Sequence, residues 1–463
     1  MAITDIKTFS HLNEEDIDSL CTKLDAIRRD IELSRGERDA NYILRAIRAQ
    51  RMLELGGRLT LFASRRRPAW LVGTAMLALA KIIEMMELGH NISHGQWDWM
   101  NDPEIHSKSW EWDFVGPSAH WKRSHNHFHH TYTNVVGMDE DLSFVVMRMT
   151  RDEPWRPVHL FQPVSSLVVA ALFEWAISVH DWALERRFTH TSRRRLLSKP
   201  NREFARKIAR QLGKDFIFYP ALTGPAFKQT LGANASALLL RNVWSFIVIM
   251  CGHFPDGAEK FTIEAFDNET RGEWYLRQLL GTANFEAGPV LAFMSGNLSH
   301  QIEHHLFPDL PSNRYAEIAV RVRALCDEYD LPYTSGSLTK QFLQALRTVH
   351  KLALPDGLLR RTVDDAPETR SELEFMGVSS QYATSDRLPA DPVTGKRRGL
   401  RGRRGTLKSD VAQVLQILRE QGRQVVQDPR NPARAAGRAG LRGSSSCQNS
   451  QSSSSVLTAL PMT

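Results

Sequence analysis

The sequence predicts an all-α protein: an integral-membrane bundle of short helical hairpins with a disordered C-terminal tail. Three observations predict it. Apolar residues gather in blocks at 57–88, 160–182 and 216–253, each long enough to enter a bilayer. Histidines crowd at the ends of such blocks, spaced three and four apart, which places them on one face of a helix. Beyond about residue 365, Gly, Arg, Ser, Gln and Pro dominate, a composition that cannot build a core. Mean hydropathy is only −0.35 and 24% of residues are charged, because that tail dilutes the apolar blocks.

In chain order, residues 1–55 read as amphipathic helices lying against the membrane face, and 56–345 as the membrane domain. Residues 346–463 read as a polar, basic tail with one short amphipathic helix near 409–423. Within the membrane domain, 69–88 can span a bilayer, with Lys81, Glu84 and Glu87 toward its far end. The polar stretch 95–156 contains no span, so His94 and His125 share one side. An even number of crossings must then separate position 130 from position 304. That requires 160–182 to enter and return, or to lie in the interface, and 216–253 to form a hairpin. Arg65-Arg66-Arg67 strains the charge rule, which wants basic loops in the cytoplasm. Either 57–88 is itself a hairpin with a basic turn or its span is re-entrant. Further on, Tyr315, Ile318, Val322, Leu325 and Cys326 mark an amphipathic helix.

Net charge is +7 and pI about 9.3, but no aromatic-interleaved basic motif accompanies the arginines. Anionic lipid therefore fits them better than nucleic acid. Four scattered cysteines form neither a disulfide framework nor a zinc knuckle. The first forty residues lack the apolar core of a cleavable signal.

Chemistry concentrates in three histidine clusters: His90 with His94, then His125, His129 and His130, then His304 and His305 with Gln301 one turn earlier. Imidazoles converging at three places need something to bind, and a polynuclear metal site answers that need. Glu87 shares a face with His90 and His94, either as a solvated charge or as a carboxylate orienting an imidazole. His300 is a further candidate that could compensate for Gln301, though one residue along a helix turns it about 100° away. His127 lies between two proposed ligands but faces elsewhere on a helix, and reads as a group supporting the ligands or as a structural residue. His106 and His120 read as surface or supporting groups, and His11, His159, His180, His190 and His350 have no partner spacing.

The set His90-xxx-His94, His125-xxx-His129-His130 and Gln301-xx-His304-His305 resembles the three histidine boxes of integral-membrane fatty-acid desaturases. Its glutamine is similar to the front-end subgroup. GHNISHGQWDWMNDP, HHTYTN, CGHFPDG and GNLSHQIEHHLFPDLPSNRY resemble bacterial acyl-CoA desaturases over roughly residues 40–345. The resemblance implies two irons in a helical cytoplasmic cap of a bacterial plasma-membrane protein. It also implies O2-dependent desaturation of a long-chain fatty acyl group, as CoA ester or lipid. His253 would be an eighth ligand by the same resemblance; on its own it reads equally as a capping or interfacial histidine. Gln301, where many relatives carry histidine, can ligate, bond through water, or only position.

Histidine-held irons suit this reaction, since two metals can share the electrons that split O2. No GxGxxG context, iron–sulfur cysteine pattern or His-Pro-Gly-Gly haem motif is present. Electrons are expected from a separate ferredoxin, cytochrome b5 or reductase. A di-iron lipid hydroxylase is the alternative. A metal transporter is less favoured, because the histidines cluster at span ends rather than along a path.

Overall fold

In a computed structural model, residues 11–142, 147–188, 198–356, 358 and 368–369 are described. The expected tail does not start at 346, because one helix, Leu338–Lys351, runs across that boundary with Thr348 and Val349 buried. Most of the tail, its helix near 409–423, His190 and the basic run at 193–195 lie outside the described residues. The described residues are predominantly helical. To the all-α expectation the structure adds a parallel ladder of β1 (Asn284–Glu286) and β2 (Ser335–Ser337), and an isolated parallel bridge between Val135 and Phe261.

Helix α1 (Glu14–Ser34) starts at a capping box in which Asn13 and Asp16 satisfy each other's backbone N–H. Its apolar stripe, Ile17, Leu20, Leu24, Ile27 and Ile31, is buried. It packs against α8 (Arg271–Gly281) and α10 (Tyr315–Glu328), and Arg28 makes a paired bond to Asp309. The stripe therefore serves the cap, not a membrane surface.

The hairpin expected within 57–88 is longer than that block. Helix α2 (Glu37–Thr60) runs through position 55 unbroken, turns over Leu61–Arg66, and packs along α3 (Arg67–Ile83). The arms nearly touch at Gly73, where a Cβ would lie 2.8 Å from Leu61 Cδ2. Small residues at such crossings let backbones approach closely. Met52, Leu55, Leu59, Phe62, Leu71 and Val72 face outward and bare, an apolar belt suited to lipid.

A second hairpin begins with α6 (Lys199–Leu212), which continues through Gly213–Phe218 and Tyr219–Leu222. It turns over Gly224–Ala226 and returns as α7 (Phe227–His253). The two turns touch each other, and α7 packs along α3. Arg67–Ser93 and Gly224–His253 are long and apolar enough to cross a membrane. Both run from the turn end toward histidines at the other end. The third block does not continue straight. Its pair α4 (Gln162–Ala171) and α5 (Phe173–Phe188) belongs to segments bent by 97°, with Phe161, Val164, Leu167 and Leu172 exposed.

Several charged groups inside the bundle are paired. Lys81 donates to Asp215 at 2.9 Å and Asp113 at 3.2 Å, Arg58 bonds Asp215 and Asn234, and Arg241 bonds Glu174. The polar end of the 69–88 block thus meets a buried polar site.

Candidate metal centre

Two of the histidine clusters ride on π-helical turns rather than the α-helix their spacing predicts. Glu84–His90 is π-helical and is followed by the turn Asn91–Ser93. Gly296, at φ +69°, passes so close that a Cβ would lie 2.3 Å from Met86 O. Lys122–His129 is the second π segment. The wider turn stacks the rings of His125 and His129 at 5.0 Å and 21°. Such insertions gather at functional sites, because they aim neighbouring side chains at one point. The third cluster sits on the short α9 (Gln301–Leu306), and His253 ends α7.

These elements bring the eight expected histidines together. Ring nitrogens of His90, His94, His125 and His304 lie within 4.8 Å of one another, and so do those of His129, His253 and His305. His130 sits between the groups, 4.7 Å from His94 and 4.3 Å from His305 by ring centroids.

Outer ring nitrogens are held by protein groups. His90 Nδ1 lies 2.9 Å from Asn91 Oδ1, His129 Nδ1 3.0 Å from Asp139 Oδ2, and His125 Nδ1 3.5 Å from Asp141. His304 Nδ1 lies 3.2 Å from Tyr315 Oη and His305 Nδ1 3.0 Å from Gln278 Oε1. Occupied Nδ1 atoms favour the tautomer with an inward Nε2 lone pair. The buried Nε2 atoms of His94, His125, His129, His304 and His305 have no hydrogen-bond partner. Five orphaned acceptors facing one another in two groups make a donor set that could hold metal.

Burial, with neighbouring imidazoles, holds His94, His130, His304 and His305 well below the usual imidazole range. They stay neutral, as ligands must. His129 differs: burial lowers it, but Asp139 and Asp141 outweigh burial and raise it.

The four remaining candidates make contacts of their own. Gln301 Nε2 lies 3.0 Å from His253 Nε2, at the edge of the second group, packed where a Gly252 side chain would otherwise be. Glu87 orients no imidazole directly; it accepts from Ser312 Oγ at 2.7 Å and Asn297 Nδ2 at 3.0 Å. His300 bonds Ser299 and joins no histidine ring contact, and His127 is exposed beside Phe128. Spacing missed Asp139, Asp141 and His180. His180 Nε2 lies 3.2 Å from Asp141, so a histidine without partner spacing stands beside the site. The carboxylates in GMDEDL, ten and twelve residues past His129, were the available signal.

His90 and His125 of one group and His129 and His253 of the other line a cavity whose other walls include Met85, Met86, Trp112, Phe173, Ile177 and Phe254.

The fold and site define a helical membrane protein whose clustered histidines, beside an apolar cavity, could hold metal. The sequence profile of the fatty acid desaturase family matches residues 68–337, and the chain belongs to that family. It is 55% identical over 405 residues, 87% of this chain and 94% of the other, to the NADPH-dependent stearoyl-CoA 9-desaturase of Mycobacterium tuberculosis. It is 25% identical to the sn-1 linoleoyl-lipid 6-desaturase of Synechocystis sp., covering 59% of this chain and 77% of that one. Against the Delta(5) fatty acid desaturase A of Dictyostelium discoideum the figures are 24%, 59% and 61%. The protein is an oxidoreductase, a membrane-associated fatty-acid desaturase. The family implies iron, and the donor set fits it.

Proposed function

We propose that this chain introduces a double bond at carbon 9 of a long saturated acyl-CoA, with stearoyl-CoA as the reference substrate. The relative at 55% identity supports the substrate and position. The observation that carries the reading is the placement of both histidine groups on the wall of an apolar cavity. His90, His94, His125 and His304 would hold one iron and His129, His253 and His305 the other, with His130 between them. Bound iron would supply the oxidising power to remove two unactivated hydrogens while O2 is reduced to water, a process that takes two further electrons and two protons.

The remaining work belongs to the chain. Met85, Met86, Phe173, Ile177 and Phe254 bind the acyl chain and exclude water by apolar contact. Asp139, Asp141, Gln278 and Tyr315 hold the imidazoles in the binding tautomer. Electrons come from a separate carrier protein, and the catalytic side faces the cytoplasm of a bacterial plasma membrane.

The test supplies iron-loaded protein with stearoyl-CoA, O2, NADPH and a carrier system, and analyses methyl esters by gas chromatography and mass spectrometry. Oleate is expected, and His129→Ala should abolish it. Hydroxystearate as the product, or full activity in His129→Ala, would overturn the assignment.

A further inference from the structure

One strongly charged face is left unused by the reading above. Helix α6 buries Pro200, Phe204, Lys207 and Gln211 and turns Arg202, Arg206 and Arg210 outward, all exposed and aligned one turn apart. Among the described residues, no carboxylate pairs with these three arginines. The buried side of the same helix leads inward. Lys207 Nζ donates to Trp112 O at 2.6 Å. The Trp112 ring lies 5.2 Å from Trp121, and Trp121 stacks on His125 at 4.5 Å and 20°. Trp121 also meets His90 at 5.4 Å and His94 at 5.5 Å, both edge-on. A run of conjugated rings therefore reaches from beneath α6 to three of the four histidines in one group. Electron tunnelling weakens exponentially across saturated gaps, which favours such a run.

We propose that the outer face of α6 is the docking surface for an acidic electron-carrier protein, whose electrons pass through Trp112 and Trp121 to the metal held by His125. The inference rests on the desaturase reading. Each transfer oxidises the reduced carrier by one electron and reduces one ferric ion by one; two transfers serve each turnover. Anionic lipid is the other partner such a stripe could meet, and the geometry disfavours it. From Arg202 to Arg210 the stripe rises about 12 Å along the helix axis. That axis continues into the exposed apolar residues Ile217, Phe218 and Leu222. A headgroup plane would meet only the lowest arginine, whereas a protein face can meet all three. Opposite charge across such a contact speeds encounter and is screened by salt.

The test uses the full chain, iron-loaded, in phosphatidylcholine nanodiscs, with an oxidised plant-type two-iron, two-sulfur ferredoxin as the acidic probe. Wild type should bind it with an affinity that falls as salt rises. Arg202→Glu, Arg206→Glu and Arg210→Glu together should weaken binding by about tenfold or more. The matching triple change to lysine should retain it. Iron content should be unchanged in both. With ferredoxin as donor, the Glu variant should raise KM for ferredoxin and leave kcat unchanged. Absent or salt-insensitive binding by wild type, or equal binding by the Glu variant, would overturn the proposal. So would a Glu variant that loses only binding to phosphatidylglycerol vesicles. Oleate formed with a photoreduced flavin and no carrier reports the desaturase reading separately, so the two can fail independently.

Discussion

At the scale of single residues, Asp139 shows how much of the centre is built behind the ligands. Its carboxylate reaches His129 Nδ1 at 3.0 and 3.1 Å while accepting from Asn134 N at 2.8 Å and Asp141 N at 3.0 Å. With two backbone donors fixing it, the carboxylate aims the imidazole and raises its basicity. Asp139→Asn keeps the shape and removes the charge. Iron affinity should fall by about 10–100-fold, as for carboxylates behind metal-bound histidines. Iron per chain after dialysis against a graded chelator measures it; wild-type retention would mean that Asp139 only folds the 134–141 turn. The gathering of the proposed ligands was legible in the sequence because helical spacing recurs at His90/His94, His125/His129 and Gln301/His305. Their supports were not. Asn91, Asp139, Gln278 and Tyr315 come from four separate segments, and no local period links them. His180 was passed over for the same reason, since a lone histidine has no spacing to read. Glu87 shares the expected face with His90 and His94 and reaches His90 only through Asn91, while Ser312 and Asn297, more than two hundred residues away, donate to it as well.

At the scale of elements, long charged side chains hold the membrane helices in register. Arg241 on α7 bonds Glu174 on α5, and Glu174 also accepts from Val115 N at 2.9 Å, so one carboxylate ties two helices to the segment behind Trp112. Arg241 is 1% exposed, so nothing replaces it once it is removed. Arg241→Met should cost about 3–5 kcal/mol by stranding a buried carboxylate. Adding Glu174→Gln should recover part of that loss, because the amide needs no counter-ion. Thermal denaturation of the two variants in the same detergent decides it; a double variant no better than the single would show that the pair is not the cause. The apolar blocks were legible as membrane segments from their length and composition. Where their partners begin was not. The first half of α2 is too polar to read as a hairpin arm, and it becomes one through contact with α3. The π turns at 84–90 and 122–129 were equally hidden. An i, i+4 histidine pair looks the same in sequence whether one residue is inserted into the turn or not.

At the scale of the whole molecule, both hairpin turns lie at one end and all the ligands at the other, so membrane orientation decides which compartment meets the metals. The turn end carries Arg65, Arg66 and Arg67, all exposed. The ligand end carries exposed Arg123, Arg187, Lys199, Arg202, Arg206 and Arg210. Basic residues flanking spans favour the cytoplasm, and the larger group outweighs the smaller. The ligand end should therefore be cytoplasmic even though three arginines are carried across. Exposed Arg65 in the turn and exposed Asn101 beyond His94 are suitable reporters. In bacterial spheroplasts treated with a membrane-impermeant maleimide, Arg65→Cys should be labelled directly. Asn101→Cys should be labelled only after permeabilisation, with the wild-type chain's own labelling subtracted from both. The reverse pattern would put the metal groups outside the cell, away from cytoplasmic electron carriers, and would undo the orientation. Labelling of both sites from the same side would instead mean that the hairpins do not cross, and that the bare belt around Leu55, Leu59 and Leu71 lies along one leaflet.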